Sequence, residues 1–194
     1  MNKNKELTRA IDASNVFVCK DSTRPSISCL RIEHYEDMIK LIATDALSLS
    51  IATYKTTFKP ATKLAKAFYH ISLEKSKQLI TILKTMVDYK EEDFLNEFID
   101  FVLKNDLGNN NFPDYNLIIS DGRPVIHNTT CDVLLLSNQF QDTAMAMKKL
   151  KVKYIETTYF CQPEVGKITK PTEYALYNSV DDVKMCVVLL PALS

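Results

Sequence analysis

Residues 38–52, MIKLIATDALSLSIA, constrain the fold of this chain more than any other stretch. They read as a strand, a tight turn at Thr44-Asp45-Ala46 and a second strand, in which Leu47, Leu49 and Ile51 alternate with Ser48, Ser50 and Ala52. Such alternation has the period of a half-buried antiparallel strand, because successive side chains point to opposite faces. One face is apolar and the other small and polar, so the chain is expected to contain an antiparallel sheet with one face turned to a core.

Short helices and strands surround that hairpin. Residues 5–14 place Leu7, Ala10 and Ile11 on one helical face with Lys5, Arg9 and Asp12 on its flanks, and Ser14-Asn15 marks the end. Residues 16–19 are a brief apolar piece, and residues 21–25 are loop by composition, Pro25 pushing Arg24 out of helical geometry. Residues 26–35 read as a strand whose apolar phase slips between Cys29 and Leu30, as at a bulge, before a turn at Glu36-Asp37. Within 71–87, Ser72 is the expected N-cap and Glu74 lies in the first turn of a helix carrying Leu79, Ile80, Leu83, Met86 and Val87 along one face. The spacing of Phe94, Leu95, Phe98, Ile99 and Val102 predicts a second amphipathic helix over 91–104. Asp121-Gly122-Arg123-Pro124 has turn chemistry. A helix over 134–150, starting near Ser137-Asn138, is expected to turn Phe140, Ala144, Met147 and Leu150 inward and Gln139, Gln141, Lys148 and Lys149 outward. Strands are expected over 154–160, 172–178 and 184–190. A helix and three strands thus close the chain much as a helix and three strands open it, which suggests a structural duplication.

Composition excludes several functions. With 194 residues the chain has room for one or two domains, and 46% hydrophobic with 25% charged residues is the make-up of a soluble globular protein. No run approaches the roughly eighteen apolar residues of a membrane span, and the opening MNKNKELTR has no apolar core behind its basic residues. A cytoplasmic protein without membrane contact is expected. Cys19, Cys29, Cys131, Cys161 and Cys186 are odd in number and never paired as C-x-x-C, which argues for buried reduced thiols rather than disulfides or structural zinc. Only Gly108, Gly122 and Gly166 occur, so no glycine-clustered phosphate loop or dinucleotide fingerprint can be written. His34, His70 and His127 stand in no metal-hydrolase frame. Asp45 with Glu33 or Asp37 is the one carboxylate set that could gather a divalent ion, against the commoner role of a turn aspartate holding backbone amides. No cofactor is implied. The net charge is zero, but its signs are separated: Asp88, Glu91, Glu92, Asp93, Glu97, Asp100 and Asp106 gather in one region, while Lys148, Lys149, Lys151 and Lys153 cluster late.

Three motifs in order carry a resemblance. Arg24-Pro25 followed by strands running into Ala43-Thr44-Asp45, then Phe112-Pro113-Asp114-Tyr115 with Leu117-Ile118-Ile119, then Val187-Val188-Leu189-Leu190-Pro191-Ala192-Leu193, resemble the central domain, the interdomain linker and the closing tail of the bacterial sliding clamp, the β subunit of the replicative DNA polymerase. Where that family often continues Thr-Asp with Gly-His-Arg-Leu, this chain has Ala46-Leu47-Ser48-Leu49, and the expected helix over 91–104 replaces family strands.

The resemblance implies a reduced, divergent clamp of α+β class, with helices packed on one face of antiparallel sheets. Residues 1–111 would form a clamp-like domain, and 112–194 the linker with a partial second domain or the second half of a single one. It implies no enzyme activity but two binding surfaces. Thr44, Leu47, Leu49, Leu190, Pro191 and Leu193 would form an apolar pocket for a short peptide of DNA polymerase or another replication protein. For each leucine by itself, core packing is the commoner role. Lys3, Lys5, Arg9, Arg24, Lys75, Lys77, Lys148 and Lys149 would contact double-stranded DNA without regard to sequence. Three functions stay open on the sequence. The first is a homo-oligomeric processivity factor encircling DNA, of the kind a phage or mobile element could carry. The second is a clamp-derived adaptor or decoy that forms no ring, and the third is a small carboxylate-dependent nuclease.

Overall fold

The computed structural model describes residues 2–56, 58–59, 68–108, 111–115, 137–151, 154–158, 172–177 and 183–189. The expected turn at Asp121-Gly122-Arg123-Pro124, the run Leu117-Ile118-Ile119 and the tail from Leu190 lie outside them. Helix α1 (Lys3–Ser14) is capped by Asn2, whose side chain accepts the Lys5 amide, and runs into a 3-10 turn at Asn15–Phe17. Strands β1 (Cys29–His34), β2 (Met38–Thr44), β3 (Ser48–Lys55) and β4 (Phe68–Ser72) follow, then helices α2 (Leu73–Thr85) and α3 (Glu91–Lys104). Helix α4 (Ser137–Leu150) leads to β5 (Tyr154–Thr158), β6 (Thr172–Tyr177) and β7 (Val183–Leu189).

The strands form one antiparallel sheet in the order β4-β1-β2-β3-β7-β6-β5. Two three-strand meanders, β1-β2-β3 and β5-β6-β7, meet where β3 pairs with β7, Ile51 opposite Cys186. Each meander follows a helix, α1 or α4, and these two helices pack on each other. The sheet is therefore continuous between the parts of the chain before and after residue 112. All four helices cover the same face, giving the expected α+β arrangement. The core between them joins Leu7 and Ile11 of α1, Leu79 and Leu83 of α2, Phe94 and Phe98 of α3 and Leu150 of α4 to the inward residues of the strands. Full burial of side chains this size is worth about 1.5–3 kcal/mol each, which makes this layer the main source of stability.

Several local expectations hold for stated physical reasons. Ser72 caps α2 by accepting the Lys75 amide at 3.2 Å, satisfying one of the helix's orphan donors. Helix α3 spans 91–104 and buries the five apolar residues that predicted it, with Glu91, Glu92 and Asp93 at its positive N-terminal end.

Others are corrected. Central strand β3 turns its small side toward the helices: Ser48, Ser50 and Ala52 are buried there with Ala10, Ala13 and Ala43, while on the other side Leu49 is buried and Ile51 and Thr53 are half-buried. The leucine side faces away from the helices. In α4, Ala144 is exposed, whereas Gln139, expected outward, is 1% exposed and lies on one stripe with Thr143, Ala146 and Leu150. Gln139 is buried because its amide has a partner, donating from Nε2 to the Leu47 carbonyl at 2.9 Å. β1 begins at Cys29 rather than at residue 26, since Arg24 to Ser28 form turns closed by Arg24 carbonyl bonds. Strand β4 had no counterpart in the sequence reading. Its outer edge is occupied: the His70 amide donates to Asp106 Oδ1 at 3.0 Å, and the His70 carbonyl accepts the Leu107 amide at 2.8 Å.

Candidate functional site

The face of the sheet turned from the helices carries a second, smaller apolar cluster. Thr44, Leu49 and Val188 are register neighbours across β2, β3 and β7. Leu49 and Val188 pack with Cys29, Ile42, Phe112 and Tyr115. Phe112 and Tyr115 belong to residues 111–115, a short strap laid over the sheet with both rings turned in and Asn111, Pro113 and Asp114 turned out. Between strap and sheet runs a groove of about 380 Å³. One side is Phe112, Pro113 and Tyr115, the floor is Thr44, Leu49 and Val188, and the rim is Ser26, Ile27, Ala46 and Ser48. None of these lining residues is charged.

The hairpin tip at the rim is held by its own side chains. Asp45 Oδ1 accepts the amides of Leu47 at 2.9 Å and Ser48 at 2.7 Å. Thr44 Oγ1 donates to the Ser48 carbonyl at 2.8 Å and accepts the Ala46 amide at 3.1 Å. Asp45 is thus a turn aspartate. Ala46 sits at φ 77°, the left-handed region that favours glycine, so this chain keeps the turn while giving up the residue suited to it.

Charge lies beneath the strap rather than in the groove. Glu33, 4% exposed, accepts Arg31 Nε on Oε1 at 2.8 Å, and on Oε2 it accepts the hydroxyls of Tyr35 at 2.7 Å and Tyr115 at 2.8 Å. The Arg31 guanidinium lies 4.0 Å from the Phe68 ring centroid and within 6 Å of the Phe112 and Tyr115 rings, at 5.7 and 5.8 Å, a cation–π setting. Phe112 also stacks on His70, with centroids 5.8 Å apart. Burial and the Glu33 carboxylate push the Tyr115 phenol well above the usual tyrosine range. The Glu33 hydrogen bond, reinforced by burial, raises Tyr35 as well. Glu33 and Asp45 are engaged with separate donors, so they do not converge on one ion-binding point.

Of the residues expected in a peptide pocket, Thr44 and Leu49 line the groove. Leu47 stands beside it, 40% exposed at the hairpin tip. Leu190, Pro191 and Leu193 lie outside the described residues, although Val188 brings β7 into the floor just ahead of them. The contribution of the strap was legible only as a linker motif. The Arg31–Glu33–Tyr115 network had no sequence signal, because it closes across 82 positions.

The expected DNA contacts sit on the helical layer, apart from Arg24 in the loop after Asp21. Four of them face acidic neighbours: Lys3 faces Glu91 at 3.7 Å, Lys5 Asp88 at 3.8 Å, Arg9 buried Glu6 at 3.0 Å and Lys149 Asp12 at 2.6 Å. Arg24 faces Asp21 at 3.7 Å. Lys77 and Lys149 line one hollow of about 160 Å³ with Lys20, which the sequence reading did not single out, and with Asp12 and Asp142. Burial raises the Asp142 carboxyl there. Lys75 turns instead toward Gln78, at 3.1 Å, in the furrow between α2 and α3. Lys148 is exposed. Exposed α3 carboxylates share the layer with these lysines, so the helical face is of mixed sign. Among the described residues no helix is long and apolar enough to cross a membrane.

No protein-family model and no curated protein matches the chain. Solved structures do. The DNA polymerase III β subunit of Thermotoga maritima superposes with a TM-score of 0.58 at 12% identity, over 98% of this chain and 64% of that one. The sliding clamp of Pseudomonas aeruginosa gives 0.59 at 10% identity, over 98% and 64%. That of Bacillus subtilis gives 0.58 at 13% identity, over 98% and 62%. The chain therefore has the fold of the bacterial sliding clamps, as its motifs implied, in a divergent form spanning less than two thirds of their length.

Proposed function

We propose that this chain is a clamp-fold accessory protein of DNA replication that works by binding, not catalysis. Its outer-face groove would hold a short apolar peptide of a DNA polymerase or another replication protein. The observation that carries this reading is the groove itself: an uncharged hollow bounded by the Phe112-Pro113 strap, the end of β7 and the hairpin after Thr44-Asp45, of which the motif resemblance had named Thr44 and Leu49 for a pocket. Apolar anchors from separate elements suit a peptide that inserts two or three apolar side chains. In this reading residues 1–111 and 112–194 are two halves of one sheet. Paired cations and the acidic α3 favour an adaptor that acts through its groove.

Fluorescence anisotropy with labelled nonapeptides carrying two leucines and a phenylalanine tests the reading. The wild type should bind them, and Ser26→Arg, at the partly exposed rim, should weaken binding about tenfold or more with an unchanged melting temperature. Equal binding by both proteins, or by neither, overturns it.

DNA encirclement by a homo-oligomer is a second reading, supported by the placement of Lys20, Lys77 and Lys148 on one layer with the sheet behind it. Because the outer edge of β4 is occupied, subunits joining sheet to sheet would meet at β5. Light scattering decides: a strict monomer at high concentration removes the ring and leaves the adaptor. If the ring stands, Lys77→Glu with Lys148→Glu should lower retention on circular duplex DNA and flatten its salt dependence.

A further inference from the structure

We infer that the partner peptide is acidic beside its apolar anchors, its carboxylates lying over Lys40, Lys55 and Lys184, which continue the groove floor along the outer face of the sheet. This rests on the groove being the peptide site. The floor residues Thr44, Leu49 and Val188 are register neighbours on β2, β3 and β7. Two positions along the same strands lie Ile42, Ile51 and Cys186, the first buried and the other two half-buried against the same outer cluster. Two positions further on lie Lys40, Thr53 and Lys184, and Lys55 follows Thr53 on β3. Side chains two apart on a strand share a face, so all of these are on the side away from the helices. The alternate residues Val183, Met185 and Val187 of β7 are in the helix-side core, as that alternation requires. The three strands thus pass together from buried apolar, through half-buried apolar, to cationic.

These lysines are placed to meet a partner. Lys55 and Lys184 are exposed and Lys40 is half-buried. The Lys40 ammonium lies 4.9 Å from the centroid of the Tyr35 ring, a contact that steadies the side chain without cancelling its charge. Among the described residues neither Lys40 nor Lys55 forms an ion pair. Glu33, opposite Lys40 in the register, is buried and held by Arg31 and two tyrosine hydroxyls. At the adjoining turn Glu36 faces Lys59 at 3.8 Å, with Asp37 exposed beside it. A strand rises about 3.3 Å per residue, which puts Lys40 and Lys184 about 13 Å from the floor and Lys55 about 20 Å from it. An extended peptide covers that distance in about four to six residues. So short a cationic row gives a duplex few phosphate contacts, whereas it suits a chain that brings apolar and acidic side chains together.

Fluorescence anisotropy on the full chain tests this with a labelled peptide of two leucines and a phenylalanine, carrying a six-residue tail beside these anchors. The tail is either neutral throughout or has glutamate at its fourth to sixth positions, and each peptide is made with the tail before and after the anchors. At about 50 mM salt the wild type should bind the acidic peptide about fivefold or more tighter than the neutral one in one of the two orientations. That gain should fall to about twofold or less at about 500 mM salt, where exposed charges are screened. Lys40→Gln with Lys55→Gln should remove the gain and leave the affinity for the neutral peptide at the wild-type value, which also shows that the double variant is folded. No gain in the wild type, an equal gain in both orientations, or a gain that survives the double substitution overturns the acidic partner alone, provided the neutral peptide binds. A wild type that binds neither peptide overturns the acidic partner and the groove reading together. A duplex oligonucleotide that displaces the acidic peptide from the wild type, and binds the double variant about tenfold more weakly, makes the row a nucleic-acid surface and overturns the inference as well.

Discussion

The two faces of the central sheet are built on different terms. The helix side is one continuous apolar core closed by α1, α2, α3 and α4, with small residues on β3 and α1 where those elements meet. The outer side has a short strap over a small cluster, with a buried glutamate, an arginine and two tyrosines joined in one network beneath it. Packing on the first face is redundant, since each residue is enclosed by several elements. On the second, a few directed contacts hold one segment. The fold's stability should therefore sit on the helix side and its adaptability on the other.

The largest effect that could break this comparison is at Phe98, fully buried on α3. Phe98→Ala should cost about 3–5 kcal/mol in urea denaturation, through lost transfer energy and the cavity left behind. Peptide affinity should not change at temperatures where the variant is folded. A loss under 1 kcal/mol would show that α3 is not part of the stabilising core. On the outer face, Leu49→Ala should cost less, about 2 kcal/mol, because the strap can settle into part of the space. The same variant should alter peptide affinity, since its side chain is groove floor. If Leu49→Ala costs as much as Phe98→Ala, the two faces are equally welded.

How much of this was legible in the sequence follows the same division. The hairpin, the Ser72 cap and α3 were readable because their signals are local: a period, a capping hydroxyl, an amphipathic stripe. Strand β4 was not, because five residues, FYHIS, take their strand form from pairing with β1 rather than from a pattern of their own. The face of α4 was misjudged because the apolar-inward rule ignores polar groups that bring their own partners, as Gln139 does with Leu47. Thr44 and Leu49, which the motif singled out, line the groove. Phe112 and Tyr115 were recognised as a linker, but their place over β1 depends on a contact 82 positions distant.

The next effect sharpens the comparison at the groove's rim. Ala46 adopts φ 77°, which costs a non-glycine residue roughly 1–2 kcal/mol, offset in part by the lower chain entropy of alanine when unfolded. Ala46→Gly should therefore stabilise the protein by about 0.5–1 kcal/mol and raise its melting temperature by a few degrees. Peptide affinity should fall slightly if the strained tip helps to hold the rim in place. Destabilisation by glycine would mean that the methyl group contributes packing in the groove that outweighs the strain.

The last effect belongs to Tyr115 and changes with pH only in alkali. Its phenol is raised in the folded protein, first by burial and then by the Glu33 carboxylate that accepts its hydrogen bond, with Tyr35 adding to the same side and Arg31 opposing. The folded state thus holds this proton more tightly than the unfolded chain, in which tyrosine titrates near pH ~10. The stability this provides is fully present below about pH 10 and is lost as pH rises through the folded value. The stability difference between wild type and Tyr115→Phe should stay constant from neutral pH to about pH 9.5 and then shrink as alkali ionises the unfolded wild-type chain. Tyr35→Phe, whose target is also raised, should show a weaker form of the same convergence. Urea midpoints at half-unit pH steps would show it, and a Tyr115→Phe difference that stays flat through pH 11 would mean that the phenol is not held against Glu33, and that the outer face is closed by packing in the same way as the inner one.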